Sequence, residues 1–202
     1  MCTPVESEGR CTLRTPAVDE READWFVQRG FRRVQSLVML RRDCNPDSVP
    51  DCSIELHSWR RLRSRRRDVL VDGLLALDAT AFPPPWNLSR DAFARACMST
   101  GDHTVLLRRD STGAVLGFAV VGRGATSAYL QRLAVHPAAR RRGVASLLVR
   151  ASSAWAESRG ADTLYVNTEP TNDAALALYR RLGFTVLPEQ LWVLERPTAV
   201  SG

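Results

Sequence analysis

The stretch Leu133-Ala134-Val135-His136-Pro137-Ala138-Ala139-Arg140-Arg141-Arg142-Gly143-Val144-Ala145 runs from an apolar strand end through a proline turn and an arginine-rich loop into the start of a helix. Backbone N–H groups of a first helical turn have no intrahelical partners, and the helix dipole adds partial positive charge at that end. A pyrophosphate is well stabilised there. Gly143 permits close approach of the backbone, Val144 and Ala145 open the helix with little bulk, and Arg140, Arg141 and Arg142 add mobile positive charge. Taken alone, Arg-Arg-Arg-Gly reads more readily as a solvated turn, so the surrounding sequence has to decide.

Downstream, Val144, Leu147, Leu148, Ala151, Ala154 and Trp155 fall on one face of a helix expected from Arg142 to Ser158, with Gly160 placed to cap it. Thr163 to Asn167 returns as a strand, which makes a right-handed βαβ crossover and a parallel pairing the default. A helix from Asp173 to Leu182 carries Ala175, Leu178, Tyr179 and Leu182 on one side and stops at Gly183. Phe184 to Leu187 and Leu191 to Leu194 then suggest a closing hairpin.

Upstream lies a meander: Thr104 to Arg108, a turn at Asp110-Ser111-Thr112-Gly113, Val115 to Gly122, a turn through Gly124, and Ala128 to Val135. Before it, Ser53 to Arg63 reads as a strand, and Asp68 to Thr80 as a helix with Val69, Leu70, Gly73, Leu74 and Leu77 at helical spacing. The prolines of Ala81-Phe82-Pro83-Pro84-Pro85-Trp86 force a loop, and a further helix, Leu88 to Met98, is introduced by Asn87 and carries Phe93 and Ala96 on one face. The turn-rich stretch Asp43 to Cys52 predicts a linker, dividing an appendage, residues 1–50, from a main domain, residues 51–202.

The composition excludes several classes. At 202 residues the chain can bury a core of its own, and 45% hydrophobic with 25% charged residues is ordinary for a globular protein. No apolar run approaches the ~18 residues that span a bilayer, and the first residues lack the apolar core of a secretory signal, so a cytoplasmic location and no membrane partner are expected. The five cysteines contain no Cys-x-x-Cys pair, and His57, His103 and His136 are scattered, so reduced thiols and no metal site are expected. Every one of the 28 basic residues is Arg, and the formal charge of +6 favours an anionic partner. The run Arg60-Arg61-Leu62-Arg63-Ser64-Arg65-Arg66-Arg67 reads as a solvated strand edge rather than a nucleic-acid contact.

Arg140-x-x-Gly143-x-Ala145, preceded by Leu-Ala-Val-His-Pro, resembles the acetyl-CoA-binding motif of the GNAT superfamily of N-acetyltransferases. Asn172-x-x-Ala175-x-x-x-Tyr179-x-x-x-Gly183-Phe184 resembles its companion motif in order and spacing, and the likeness extends from Ile54 to Pro197. Leu77-Asp78-Ala79-Thr80-Ala81-Phe82-Pro83-Pro84-Pro85-Trp86 is similar to the substrate loop of RimI-type enzymes, which acetylate the N-terminal amine of a ribosomal protein. The resemblance implies an α/β GNAT fold, a mixed and mostly antiparallel sheet splayed between its fourth and fifth strands, flanked by helices. It implies acetyl-CoA as acyl donor and direct attack by an amine in a ternary complex. The acceptor would be a protein N-terminus, or alternatively a small-molecule amine; a non-catalytic acyl-CoA sensor or nucleic-acid binder is the reading from another class.

The resemblance also implies roles. Backbone groups of Leu133, Ala134 and Val135 would pair with the pantetheine arm, and one N–H would polarise the thioester carbonyl. The loop Arg140 to Ala145 would hold the pyrophosphate, Asn172 would bond the cofactor arm, and Phe82 and Trp86 would wall the acceptor. Tyr179 would protonate the departing thiolate. RimI-type enzymes use a Glu base on the fifth strand where this chain has Asn167, whose amide is no base. Glu169, two residues on, would share its parity if the strand continued; a water relay, or loss of the amine proton to bulk water, are the other routes.

The N-terminal segment carries an echo. Asp24 to Phe31, followed by Val34 to Leu40, repeats the pattern of Ala177 to Phe184 followed by Leu191 to Arg196, with Phe26 in the place of Tyr179. It reads as the closing half of a second such unit, without a hydroxyl or a pyrophosphate loop, that covers a sheet edge.

Overall fold

A computed structural model describes residues 3–7, 10–44, 53–57 and 64–197. In chain order its elements are β1 (Thr3–Ser7), β2 (Arg10–Arg14), α1 (Glu20–Val27), β3 (Arg32–Asp43), β4 (Ile54–His57), α2 (Ser64–Ala81), α3 (Arg90–Met98), β5 (Asp102–Arg109), β6 (Val115–Arg123), β7 (Ser127–Val135), a 3-10 turn (Pro137–Ala139), α4 (Val144–Ser158), β8 (Thr163–Thr168), α5 (Asp173–Arg181) and β9 (Thr185–Pro197). The chain divides into two compact units, one of residues 41–166 and one of residues 1–40 with 167–202. The expected boundary near Pro50 falls outside the described residues, and the first forty residues share a unit with the end of the chain. Among the described residues, no helix is long and apolar enough to cross a membrane, and no cluster of three His, Cys, Asp or Glu side chains is placed to hold a metal ion.

In the unit of residues 41–166 the strand order is β4-β5-β6-β7-β8, antiparallel up to β7 and parallel between β7 and β8. Strand alternation divides the side chains between two faces. Val105, Leu107, Phe118, Val120 and Ala134 meet Val71, Leu74 and Leu77 of α2 and Phe93 and Cys97 of α3. α4 lies against β5, β6 and β7, and its fit depends on Gly117: a Cβ there would stand 2.8 Å from the Ala134 carbonyl oxygen, 3.0 Å from Val144 and 3.2 Å from Leu148. That glycine lets the first turn of α4 sit down on the sheet.

Three local expectations are corrected in this unit. The buried face of α2 is Val71, Leu74, Leu77 and Asp78, one step round from the expected one, and Val69 is exposed. Packing against β6 and β7 selects this face, and the apolar residues near the start of α2 do not. α3 is capped by Ser89, whose hydroxyl accepts from the Ala92 N–H at 3.1 Å, and not by Asn87. Ser64 to Arg67 of the basic run begin α2, while residues 58–63 and the linker 45–52 lie outside the described residues.

In the other unit the strand order is β1-β2-β9-β3, with β2 antiparallel to β9 and α1 packed on β9. Val18, Ala23, Phe31 and Leu194 form one buried cluster, and Leu37, Leu191 and Val193 another. The expected closing hairpin is instead one strand of 13 residues. Nothing at Pro188-Glu189-Gln190 supplies the glycine or asparagine a tight hairpin needs, proline tolerates extended backbone, and β2 and β3 flank β9 on its two sides. The N-terminal echo is structural: α1 and α5 end alike, with Phe31 N–H bonded to Phe26 O at 3.2 Å and Phe184 N–H bonded to Tyr179 O at 3.0 Å. Gly30 and Gly183 both take φ 82°, the left-handed residue that closes such an end. The aromatic pairs match too, with centroids 5.1 Å apart for Phe26–Phe31 and 5.5 Å for Tyr179–Phe184.

Candidate functional site

The loop ahead of α4 is built by backbone. His136 Nδ1 accepts from the Ala138 N–H at 3.2 Å and starts the 3-10 turn, a task that no sequence pattern marks. Ala139 is buried beneath, while Arg140, Arg141 and Arg142 are exposed. Arg141 has φ 64° and Gly143 φ 81°, both left-handed. A non-glycine residue held there is uncommon, and alternating backbone hand brings successive N–H groups round a concavity that suits an anion. Gly143 is the N-cap of α4 and gives it no side-chain cap. A Cβ on Gly143 would meet nothing within 4 Å, so the left-handed backbone, not crowding, demands glycine. Val144 is buried and Ala145 half-buried at the first turn.

The strand leading into this loop has one open edge. β7 pairs with β8 only from Ser127↔Thr163 to Leu130↔Val166, yet runs on to Val135. On its other side the His136 N–H donates to Leu116 O at 2.9 Å, in register with Gly117↔Val135 and Phe118↔Ala134. Opposed residues in an antiparallel ladder alternate between exchanging both hydrogen bonds and turning both groups away. Ala134 is therefore committed to β6. Leu133 and Val135 turn their N–H and C=O groups to the edge that has no β8 partner among the described residues. An extended amide chain can add to such an edge as a further strand. Of the three expected backbone contacts, Leu133 and Val135 remain available and Ala134 does not.

Phe82 and Trp86 lie half-buried in the loop after α2, gathered by a buried ion pair that sequence reasoning missed. Asp78 is fully buried. Its carboxylate accepts from Arg132 Nε and Nη2, both at 2.7 Å, and from the Leu88 N–H at 2.7 Å. Arg132 Nη2 also donates to Trp86 O at 3.0 Å, and the guanidinium lies 3.5 Å from the centre of the Phe82 ring. The signal was present but faint: an Asp on the apolar face of a helix and an Arg at an inward strand position, of opposite sign.

Glu169, Asn172 and Tyr179 belong to the other unit. β8 ends at Thr168, so Glu169 does not share strand parity with Asn167; it sits just past the strand, exposed and hydrogen-bonded to the Gln35 side chain. Asn172 accepts from the Ala175 N–H at 3.1 Å as the N-cap of α5, so its Oδ1 is engaged and its amide nitrogen is the group left for a ligand. Tyr179 is buried, and that burial pushes its hydroxyl well above the ordinary tyrosine value. Such a hydroxyl stays protonated through the neutral range.

Comparison with known proteins agrees with these features. The sequence profile of the Acetyltransferase (GNAT) family matches residues 71–184. The chain is 29% identical over 114 residues to the [Ribosomal protein bS18]-alanine N-acetyltransferase of Salmonella typhimurium, covering 54% of this chain and 77% of that one. It is 28% identical over 177 residues to the mycothiol acetyltransferase of Arthrobacter sp., covering 82% of this chain and 54% of that one. It spans about half the length of the first curated relatives it matches. A GNAT-family acetyltransferase from Novosphingobium aromaticivorans superposes with a TM-score of 0.66 at 21% identity, over 96% of this chain and 78% of that one. With a family profile spanning more than half its length and a sheet, loop and helix arranged as that family requires, the chain belongs to the GNAT acetyltransferase family.

Proposed function

We propose that this chain is an acetyl-CoA-dependent N-acetyltransferase whose acceptor is a primary amine at a protein or peptide N-terminus. The observation that carries the reading is the left-handed backbone at Arg141 and Gly143 ahead of an α4 start without a side-chain cap, next to the open edge at Leu133 and Val135. Bound there, acetyl-CoA supplies an activated thioester. Arg140 to Ala145 hold its pyrophosphate, and Leu133 and Val135 align its pantetheine amides. An N–H at that edge donates to the thioester oxygen as charge develops in attack. Tyr179 gives a proton to the departing sulfur. The amine's own proton leaves to water, as an α-amine with an ordinary pKa of about 8 readily allows; Glu169, open to solvent, is the carboxylate of its segment able to receive it. Phe82 and Trp86 give the acceptor an apolar wall.

The test is direct. Acetyl-CoA and a panel of peptides and small amines are incubated with the protein, and acetyl mass gain is read on each acceptor. Because the chain contains no lysine, its own side chains cannot blur the result. Peptide N-termini are expected to gain acetyl groups fastest. If small amines turn over and peptides do not, the acceptor assignment is lost; if nothing turns over, the enzyme reading is lost.

The loop makes its own prediction. Gly143→Ala forces a side chain into left-handed backbone at ~1–2 kcal/mol, paid as strain or as a moved loop. CoA affinity measured by calorimetry is expected to fall about tenfold. Unchanged affinity would mean that this loop does not hold the diphosphate.

A further inference from the structure

We propose that Arg132, paired with Asp78, is the positioning residue that sets the acceptor wall against the strand edge where the thioester is polarised. This rests on the acceptor role given above to Phe82 and Trp86. Four contacts converge on one pair: two parallel hydrogen bonds between Arg132 and the Asp78 carboxylate, one from Arg132 to the Trp86 carbonyl, and one from the Leu88 N–H to Asp78. The Arg132 guanidinium covers Phe82 as well. The loop 82–88 is thus tied at its start and middle to Arg132 of β7, the residue that immediately precedes Leu133, and at its end to the Asp78 carboxylate that Arg132 holds.

The strand is shaped for this. β7 carries an extra residue against β6, since Val120 opposes Arg132 while Val121 opposes Leu130, which leaves Gln131 unpaired in the register. A bulge of this kind re-aims neighbouring side chains. Both Gln131 and Arg132 reach the helical layer: Gln131 Nε2 donates to Ser99 Oγ at the end of α3 at 2.6 Å, and Arg132 binds Asp78 of α2. The bulge stands between the part of β7 that pairs with β8 and the part that does not. Moving Arg132 therefore shifts the wall relative to the Leu133 and Val135 groups without touching the loop at Gly143.

Guanidinium geometry is the specific demand. A planar fork serves both carboxylate oxygens, the Trp86 carbonyl and the Phe82 face at once, and an ammonium cannot. In Arg132→Lys the charge at the buried Asp78 is kept, so folding is preserved while the fork is lost. We expect the KM for the acceptor peptide to rise at least tenfold, the CoA dissociation constant by calorimetry to stay within twofold, and amide exchange at Trp86 and Leu88 to quicken at least tenfold, with the Ala134 amide unchanged. Asp78→Asn, which keeps an acceptor for Leu88, should repeat the pattern more weakly.

Acceptor KM within twofold of the parent in both variants overturns the proposal. Equal loss of acceptor and CoA binding also overturns it, since a general packing defect would do that. The exchange measurement needs no acceptor. Should the unaltered protein acetylate no amine at all, the functional reading falls by that control alone, and unchanged exchange at Trp86 and Leu88 in Arg132→Lys would separately show that the clamp does not hold the loop.

Discussion

A chain shortened by residues 1–44 is expected to lose cooperative melting, or to be recovered insoluble. β9 is flanked by β2 and β3, both drawn from the removed segment. Leu194 is completely buried, and Leu191 and Val193 nearly so, against a set that includes Val18, Ala23, Phe31 and Leu37. Each large apolar side chain returned to water forfeits ~1.5–3 kcal/mol. Several of them together approach the ~5–15 kcal/mol that holds an entire domain folded. A bare β9 would also present two unpaired edges, the arrangement most prone to aggregation.

A milder variant separates the repeat from simple loss of mass. Phe31 occupies the position that Phe184 holds in the other copy, buried beside Phe26 as Phe184 is beside Tyr179. Phe31→Ala is expected to cost ~3–5 kcal/mol, a fall in Tm of roughly 6–20 °C for a chain of this size. If the shortened chain melts cooperatively within about 2 °C of the parent, a shift worth about 0.5–1 kcal/mol, the N-terminal copy is an ornament and not a structural half.

What the sequence discloses and what it hides follow one physical division. α4, the meander and the two helix ends at Gly30 and Gly183 are local: apolar spacing and a left-handed glycine act within a few residues, so Val144 to Trp155 and the echoing Phe26 and Tyr179 can be read in one dimension. The pairing of Asp78 with Arg132 spans 54 residues, and no periodicity marks it. The phase of α2 is hidden because Val69 and Gly73 fit a helical stripe as well as Val71 and Leu77 do, and only contact with β6 and β7 chooses. β9 reads as two strands because a proline in mid-strand resembles a break, whereas its neighbours on both sides come from the far end of the chain. The end of β8 at Thr168, one residue short of Glu169, is likewise unmarked in the sequence. The loop ahead of α4 is legible as a turn into a helix, but the left-handed backbone at Arg141, a residue with no glycine's licence for it, is not.

Tyr179→Phe is expected to lower kcat about 100-fold, the low end of what a positioned general acid contributes, with CoA affinity and Tm unchanged. The ring keeps its place beside Phe184, because the substitution deletes only an oxygen and burial already disfavours a polar group there. The direction of the pKa shift looks unhelpful at first. A tyrosine near 10 is a weaker acid than a free thiol near 8.5, so transfer to a solvated thiolate runs uphill by ~2 kcal/mol, and burial weakens the tyrosine further. Yet burial acts on sulfur in the same sense. In this protein the Cys97 thiol is pushed up to about 12 by desolvation alone. A thiolate expelled away from water is a stronger base by the same cause, which offsets part of that uphill step. The pH behaviour carries a sign that can be checked. Because the folded state favours the neutral hydroxyl, Tyr179 contributes no falling limb to kcat below its ordinary value of 10.0, and the cost to stability appears only as pH rises through that value. The Phe variant lacks this alkaline loss. A Tyr179→Phe enzyme with kcat within threefold of the parent would show that the sulfur leaves without its help; a kcat loss accompanied by weaker CoA binding would place Tyr179 in holding the donor and not in protonating it.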